Sequence, residues 1–209
     1  LLVDFSQSAW FGSLHQFKHE IMTEICAVLA FSAINNNDKV GIILFTDDVE
    51  LFVPPKKGRQ HILRIIRELI DFEPKGKGTD LGKALQYFNN VIKKRSICFL
   101  LSDFMDRGYD TALRIAARKH DMVGIHIYDP REAELPNIGL IRALDPEHNE
   151  VRWVDTGSKK MRDRYAKGFL EQQDYTRDAF VKSGADRVRI STGEPYVNSL
   201  LKFFQKRVK

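Results

Sequence analysis

The side chains of this 209-residue chain best suited to chemistry are two aspartates and three hydroxyl residues on segments far apart in sequence. Asp4-Phe5-Ser6-Gln7-Ser8 follows an apolar run, Thr79 stands in Gly78-Thr79-Asp80, and Asp103 stands in Ser102-Asp103-Phe104. Every candidate is an oxygen donor, with no His or Cys among them. That donor set suits a hard divalent cation, Mg²⁺ first with Mn²⁺ or Ca²⁺ as alternates, and argues against Zn²⁺ or copper. Alternate residues leaving a strand project to one side, so Asp4, Ser6 and Ser8 can converge as the chain turns. An octahedral ion held this way keeps positions for water or for an oxygen of a partner. Each residue also has a purely structural reading: Ser6 or Ser8 as a turn cap, Thr79 as the N-cap of its own helix, Asp103 as the cap of a strand end.

Other combinations are weaker. His15 and His19 lie four apart beside Glu20, but without the H-E-x-x-H order of a zinc helix, and read as an exposed first turn. His120-Asp121 falls at the start of a strand, at the opposite end of the sheet from the aspartates, which favours a structural role. Lys75 and the loop Gly76-Lys77-Gly78 lack the G-x-x-x-x-G-K-[ST] pattern of a phosphate loop. Trp10 and Phe11 follow the first candidate loop and fit either core packing or an aromatic anchor for a partner.

Strand-like and helix-like patterns alternate along the whole chain. Strands are expected at Leu1–Phe5, Val40–Thr46, Val49–Val53, Ile97–Leu101, Met122–Tyr128 and Arg187–Ser191. The second and third are close enough to form an antiparallel hairpin around Asp47-Asp48, with Pro54-Pro55 ending the third. Helices are expected at His15–Ile34, with Phe17, Ile21, Ile25, Val28 and Leu29 as its stripe, and at Gly58–Phe72. Others follow over Leu81–Ile92, Asp110–Lys119, Ser158–Lys182 with a stop at Ser183-Gly184, and Pro195–Lys206. Asp129-Pro130 and Leu135-Pro136 mark a loop, and 138–155 reads as a two-stranded excursion turning at Asp145-Pro146-Glu147. The pattern predicts one α/β domain over 1–209, doubly wound, with a mostly parallel sheet of about six strands, one antiparallel edge strand and a small β-hairpin insertion around 138–156. In such sheets ligands bind beyond the carboxyl ends of the strands, which is where all five candidate residues fall.

Composition narrows the classes. Hydrophobic residues are 43% and charged residues 29%, ordinary globular values that exclude a disordered or collagen-like chain. No apolar run approaches the ~18–20 residues of a membrane span. Cys26 and Cys98 sit in apolar segments, as buried thiols of a reducing, cytoplasmic compartment do. Leu1-Leu2-Val3 is already apolar without an initiator Met, as if the sequence began inside a strand. The formal charge is +5, but residues 1–150 carry 19 Lys and Arg against 21 Asp and Glu, while 151–209 carry 14 against 7. The basic excess, Lys202, Lys206, Arg207 and Lys209 included, therefore lies away in sequence from the candidate ligands and reads as a separate surface for an acidic partner. Nucleic-acid binding would rest on that charge alone, with no groove-reading motif to support it.

At Asp4, Ser6, Ser8, Thr79 and Asp103 the chain resembles von Willebrand factor A domains with a metal-ion-dependent adhesion site, whose motif is D-x-S-x-S, a later Thr and a later Asp. The resemblance implies that the serines and the threonine touch the metal, that the aspartates act largely through water, and that a partner's carboxylate completes the shell. Gln7 departs from the Gly found at that place in many such sites. Phe52-Val53-Pro54-Pro55, Gly78-Thr79-Asp80-Leu81, Leu101-Ser102-Asp103-Phe104, Arg118-Lys119-His120-Asp121, Asp129-Pro130-Arg131-Glu132 and Val154-Asp155-Thr156 resemble a narrower bacterial family, domain of unknown function fifty-eight. Its members are often encoded beside MoxR-type AAA+ ATPases and carry a further N-terminal segment. The resemblance implies a non-enzymatic interaction module whose partner is a MoxR-type ATPase or its client. No nucleic acid and no membrane contact by these residues are expected. The matched loops bring no Cys, Lys or His to act as nucleophile or base. The alternative is a metal-dependent phosphoester hydrolase, with Asp4 or Asp103 holding the ion and Asp106 as base.

Overall fold

A computed structural model describes residues 1–13, 16–145 and 150–207. His15, Pro146-Glu147 of the expected turn and Lys209 lie outside the described residues.

Successive side chains along a strand face opposite sides of a sheet, and here both sides are covered. Leu2 and Val3 of β1 (Leu2–Asp4) are both fully buried, one in each of two cores. β1 pairs in parallel with β2 (Val40–Phe45) on one side and β4 (Ile97–Ser102) on the other. β3 (Val49–Lys56) runs antiparallel to β2 at one edge, and β5 (Asp121–Tyr128) and β8 (Asp186–Ser191) extend the sheet in parallel at the other. The order is β3-β2-β1-β4-β5-β8, with β6 (Leu140–Asp145) and β7 (Glu150–Asp155) forming a separate antiparallel hairpin. This is the doubly wound, mostly parallel arrangement implied by the resemblance to von Willebrand factor A domains.

One face of the sheet is covered by α1 (Lys18–Asn35), α2 (Arg59–Ile70) and α7 (Tyr196–Arg207). The other is covered by α3 (Leu81–Val91), α4 (Asp110–Lys119) and α6 (Lys159–Ser183). Fully burying each large apolar side chain in these layers contributes roughly 1.5–3 kcal/mol, which fixes the strands that carry the candidate residues. Gly184 ends α6 in the left-handed conformation (φ 73), as its sequence position predicts.

Three expectations are corrected. Pro54-Pro55 do not end β3, which continues to Lys56; β3 is an edge strand with a register shift between Val40 and Ile42, where missing N–H donors are tolerated. α1 starts at Lys18, after a 3-10 turn over Gln7–Trp10, because the Glu20 carboxylate accepts the Phe17 amide (2.8 Å) and sets the first turn there. Its buried stripe is Lys18, Ile21, Met22, Ile25 and Cys26, whereas Phe17 and Val28 are 46% and 48% exposed. The loop after β5 contains a short helix, α5 (Pro130–Ala133), started by Asp129 as N-cap and Pro130 at its first position.

Candidate metal centre

The chain winds from β1 towards β3 on one side and from β4 towards β8 on the other, so the sheet changes direction between β1 and β4. That switch point opens a crevice at the carboxyl ends of the strands. Asp4 ends β1, and Asp103 follows β4 directly. The 3-10 turn after β1 carries Ser8, with Ser6 just before it. Thr79 arrives on the loop before α3, which the Gln7 amide ties to this turn by donating to the Lys77 carbonyl (3.0 Å). Gly76 lets that loop pass close to the end of β2, since a Cβ there would collide with the Asp47 carboxylate and the Thr46 hydroxyl.

The capping readings fail for Ser6 and Thr79, while Asp103 does cap the end of β4 by accepting the Met105 amide. Ser6 stands at the N-cap of the 3-10 turn but makes no side-chain cap bond. Asp80, not Thr79, caps α3, accepting the Lys83 amide at 2.7 Å. The Thr79 hydroxyl oxygen is buried with no hydrogen-bond partner among the described residues. A buried, unsatisfied hydroxyl costs about 1–3 kcal/mol, a cost that a bound ligand at this oxygen would offset.

Asp4 and Asp103 are almost fully buried. Asp4 accepts the Ser6 amide (2.9 Å) on one oxygen and the Ser102 hydroxyl (2.6 Å) on the other. Ser6 and Ser8 hydroxyls lie 3.1 Å apart. Asp103 accepts the Met105 amide (3.2 Å) on Oδ1 and also takes a hydrogen bond from Ser8. Burial and the neighbouring Asp103 charge push the Asp4 carboxyl up to about 7, so the two carboxylates repel in the absence of a cation. Phe104 follows in the left-handed conformation (φ 54), a strained state for a bulky residue, with its ring buried among Tyr109, His126 and Phe180. That turn sends the chain off sharply after Asp103. The donor chemistry fits a hard cation: Ser6, Ser8 and Thr79 would hold it, with Asp4 and Asp103 behind them. Among the described residues no three His, Cys, Asp or Glu side chains form a group that could hold a metal ion, so the hydroxyls would have to supply most of the donors.

Comparison with known proteins bears on the same region. Residues 1–175 match the family described as "Protein of unknown function DUF58". The chain belongs to the DUF58 family. An uncharacterized protein of Mycobacterium tuberculosis is 24% identical over 210 residues, covering 99% of this chain and 66% of the relative, so the chain spans about two thirds of that protein's length. Among solved structures, the conserved hypothetical protein BatB from Bacteroides thetaiotaomicron aligns over 96% of this chain and 92% of its own, with 17% identity and a TM-score of 0.63. An aerotolerance-related membrane protein from Bacteroides fragilis aligns over 85% of this chain and 96% of its own, with 17% identity and a TM-score of 0.58. These two likenesses concern the fold. Among the described residues of this DUF58 domain no helix is long and apolar enough to cross a membrane.

The DUF58 centre contains residues that sequence reasoning did not single out. Lys18 is fully buried and its ammonium donates to Asp103 Oδ2 (2.6 Å) and to Glu132. Burial pulls this ammonium down, but the charges and hydrogen bonds of Asp103 and Glu132 outweigh it and hold it above the ordinary lysine range. Glu132 also accepts the Asp129 amide (2.9 Å), and Asp129 accepts the Ser13 amide, the Arg131 amide and the Thr192 hydroxyl, each at 2.8 Å. Asp129-Pro130-Arg131-Glu132 is thus a capping box that supports the centre. The signal for Lys18 was present in its spacing, four and eight residues before buried Met22 and Cys26.

The remaining candidates separate cleanly. Both oxygens of Asp106 accept backbone amides, Leu81 at 2.9 Å and Arg107 at 2.6 Å, which makes it a cap for α3 rather than a free base. The amides of Lys75 and Gly76 donate to the Glu50 carboxylate (2.8 and 2.9 Å), so the glycine loop cradles an internal anion. His19 stacks on Trp10 with ring centroids 4.0 Å apart. Trp10 and Phe11 are 44% and 43% exposed beside the centre, and an open pocket of about 390 Å³ lies between Trp10, Gln7 and the 74–77 loop. His120 is buried at the opposite end of the sheet, against the Phe88 ring. Arg207 is tied to Asp121 (2.6 Å) and Asp186 (2.9 Å), which removes it from the free basic surface expected at the C-terminus.

Proposed function

We propose that this domain is a non-enzymatic protein-interaction module that binds a divalent cation, Mg²⁺ first, and uses it to engage an acidic residue of a partner. The observation that carries this reading is the buried, unpartnered Thr79 hydroxyl on a loop bonded to the turn that holds Ser6 and Ser8, with Asp4 and Asp103 behind. When bound, the cation supplies a Lewis-acidic position for an incoming carboxylate. Asp4 orients the Ser6 segment through the Ser6 amide, and Asp103 accepts from Ser8, so the serine oxygens are left to face the ion. Exposed Trp10 and Phe11 at the rim offer aromatic contact area to the same partner. The hydroxyl-rich donor set supports adhesion over hydrolysis, because no free base stands beside it among the matched loops.

The family resemblance supports a MoxR-type AAA+ ATPase or its client as that partner, in a chaperone or assembly role. The free, buried thiols Cys26 and Cys98 support a reducing, cytoplasmic setting. The test is capture of the cognate ATPase by wild type and by Asp4→Ala, each in Mg²⁺ and in EDTA. Capture by wild type in Mg²⁺ only is expected; equal capture in all four conditions would sink the metal bridge.

A further inference from the structure

Lys18 is a cation already built into the centre, and its place is not explained by packing. An ammonium with no exposed surface brings a desolvation cost that its partners must offset. Here two carboxylates share it, Asp103 at 2.6 Å and Glu132 on the other side. Asp103 Oδ2 is therefore occupied on the side facing α1, and its Oδ1 takes the Met105 amide. With all three carboxylates ionised, as a cation bound beside Asp4 would require, Asp4, Asp103 and Glu132 against Lys18 carry a formal charge of −2, which a divalent cation neutralises.

Resting on the metal-centre reading, we propose that Lys18 is a specificity-determining residue that holds the bound cation electron-poor, so that the centre prefers an incoming carboxylate to a tighter grip on its own metal. Without the ammonium the loaded group would carry −1, and a partner's Asp or Glu would approach a surface of its own sign. With it the loaded group is neutral and the ion keeps its pull on an external anion. Two affinities follow that move in opposite directions: loss of Lys18 strengthens metal binding and weakens carboxylate binding. Glu132 works with the reverse sign, since its loss leaves the ammonium less neutralised. Asp129 is held by Ser13, Thr192 and the Arg131 amide and keeps its charge throughout.

The experiment is a charge series of wild type, Lys18→Met, Glu132→Gln and the double variant, with thermal melts to confirm folding. Mn²⁺ affinity is read by electron paramagnetic resonance, and acetate binding to the Mn²⁺-loaded protein by water-proton relaxation. Lys18→Met is expected to tighten Mn²⁺ and weaken acetate, each by at least about tenfold, the size of a well-screened unit-charge change close to the ion. Glu132→Gln should do the reverse by a few-fold, and the double variant should return towards wild type. If Lys18→Met does not fold, Glu132→Gln carries the test alone, since it leaves Lys18 on Asp103. Both affinities falling together, or neither changing in folded variants, would overturn the proposal. Failure of wild type to bind Mn²⁺ at all would overturn the metal centre itself, a distinct outcome read in the first titration.

Discussion

At the carboxyl edge of the sheet, Lys18 of α1, Asp103 after β4 and Glu132 of α5 leave water together, paired and hydrogen-bonded. At the opposite edge His120 is buried on the Phe88 ring (centroids 4.5 Å apart) with neither ring nitrogen hydrogen-bonded, while Arg207, Asp121 and Asp186 pair at the surface. Among the described residues the fold therefore buries charge at one end. Ionised groups are costly to desolvate, so an edge that keeps them inside must hold them in a connected network. The far edge buries only a neutral ring and leaves its ions in water. Removing one partner should accordingly cost much more at the first edge. Lys18→Met is expected to lower stability by about 3–5 kcal/mol, the usual penalty for orphaning a buried charge. Arg207→Met should cost no more than ~1 kcal/mol, as exposed pairs do. Urea denaturation of both variants checks this, and equal losses would break the contrast.

Acid sensitivity sharpens the comparison along a single strand, because β5 carries His126 towards the Asp4–Asp103 edge and follows His120 at the other end. Burial, joined by the Arg187 charge, pushes His126 down to about 3. His120 is also lowered, by burial and then by Lys119. A histidine kept neutral in the folded state but protonated when unfolded makes the unfolded state bind more protons below its ordinary value. Stability is then full above about pH 6.5 and is lost as the pH falls towards the folded value. For His126 the loss between pH 7 and pH 5 is roughly 2 kcal/mol. His126→Phe should flatten the stability profile over that window, as followed by denaturation at each pH. His120→Phe should flatten it in the same direction, and an unchanged slope in His126→Phe would remove the electrostatic difference between the strand's two ends.

How much of this was legible in the sequence follows from whether each feature is local. The inner strands of the sheet were legible because each is an apolar run with both faces covered, and the five candidate ligands could be picked out because their types and order form a short pattern. The stripe of α1 reads correctly at Ile21, Ile25 and Leu29 but not at exposed Phe17 and Val28, and it misses Lys18, four residues before Met22. The spacing to Met22 and Cys26 puts Lys18 on the buried face, but what satisfies its charge there is not local, since its partners are 85 and 114 positions away. Ser102 is likewise explained by Asp4, 98 positions earlier. β3 ran past Pro54-Pro55 because the cost of a proline in a sheet depends on whether the strand is at an edge, which is a property of the assembled sheet. The DUF58 resemblance pointed to Asp129-Pro130-Arg131-Glu132, yet the use of Glu132 as a second anchor for Lys18 emerges only from the packing of α1 against α5.

The smallest expected effect separates the two edges most sharply, since both contain buried polar atoms without partners. The Thr79 hydroxyl is unpartnered at one edge and both His120 nitrogens are unpartnered at the other. Replacing such a group by an apolar one of similar shape removes a desolvation cost and no hydrogen bond, so Thr79→Val and His120→Phe should each leave metal-free stability unchanged or raise it by up to ~1 kcal/mol. If the Thr79 oxygen is reserved for a cation, the two then diverge when Mg²⁺ is added. Ligand binding to the folded state alone stabilises by about 2.7 kcal/mol at a hundred times the Kd. Wild type and His120→Phe should gain that increment in a thermal melt, whereas Thr79→Val should gain little of it. Equal gains would assign the Thr79 hydroxyl the same role as the His120 ring, a polar group buried by packing, and the difference between the two ends of the sheet would then rest on Lys18 and its carboxylates alone.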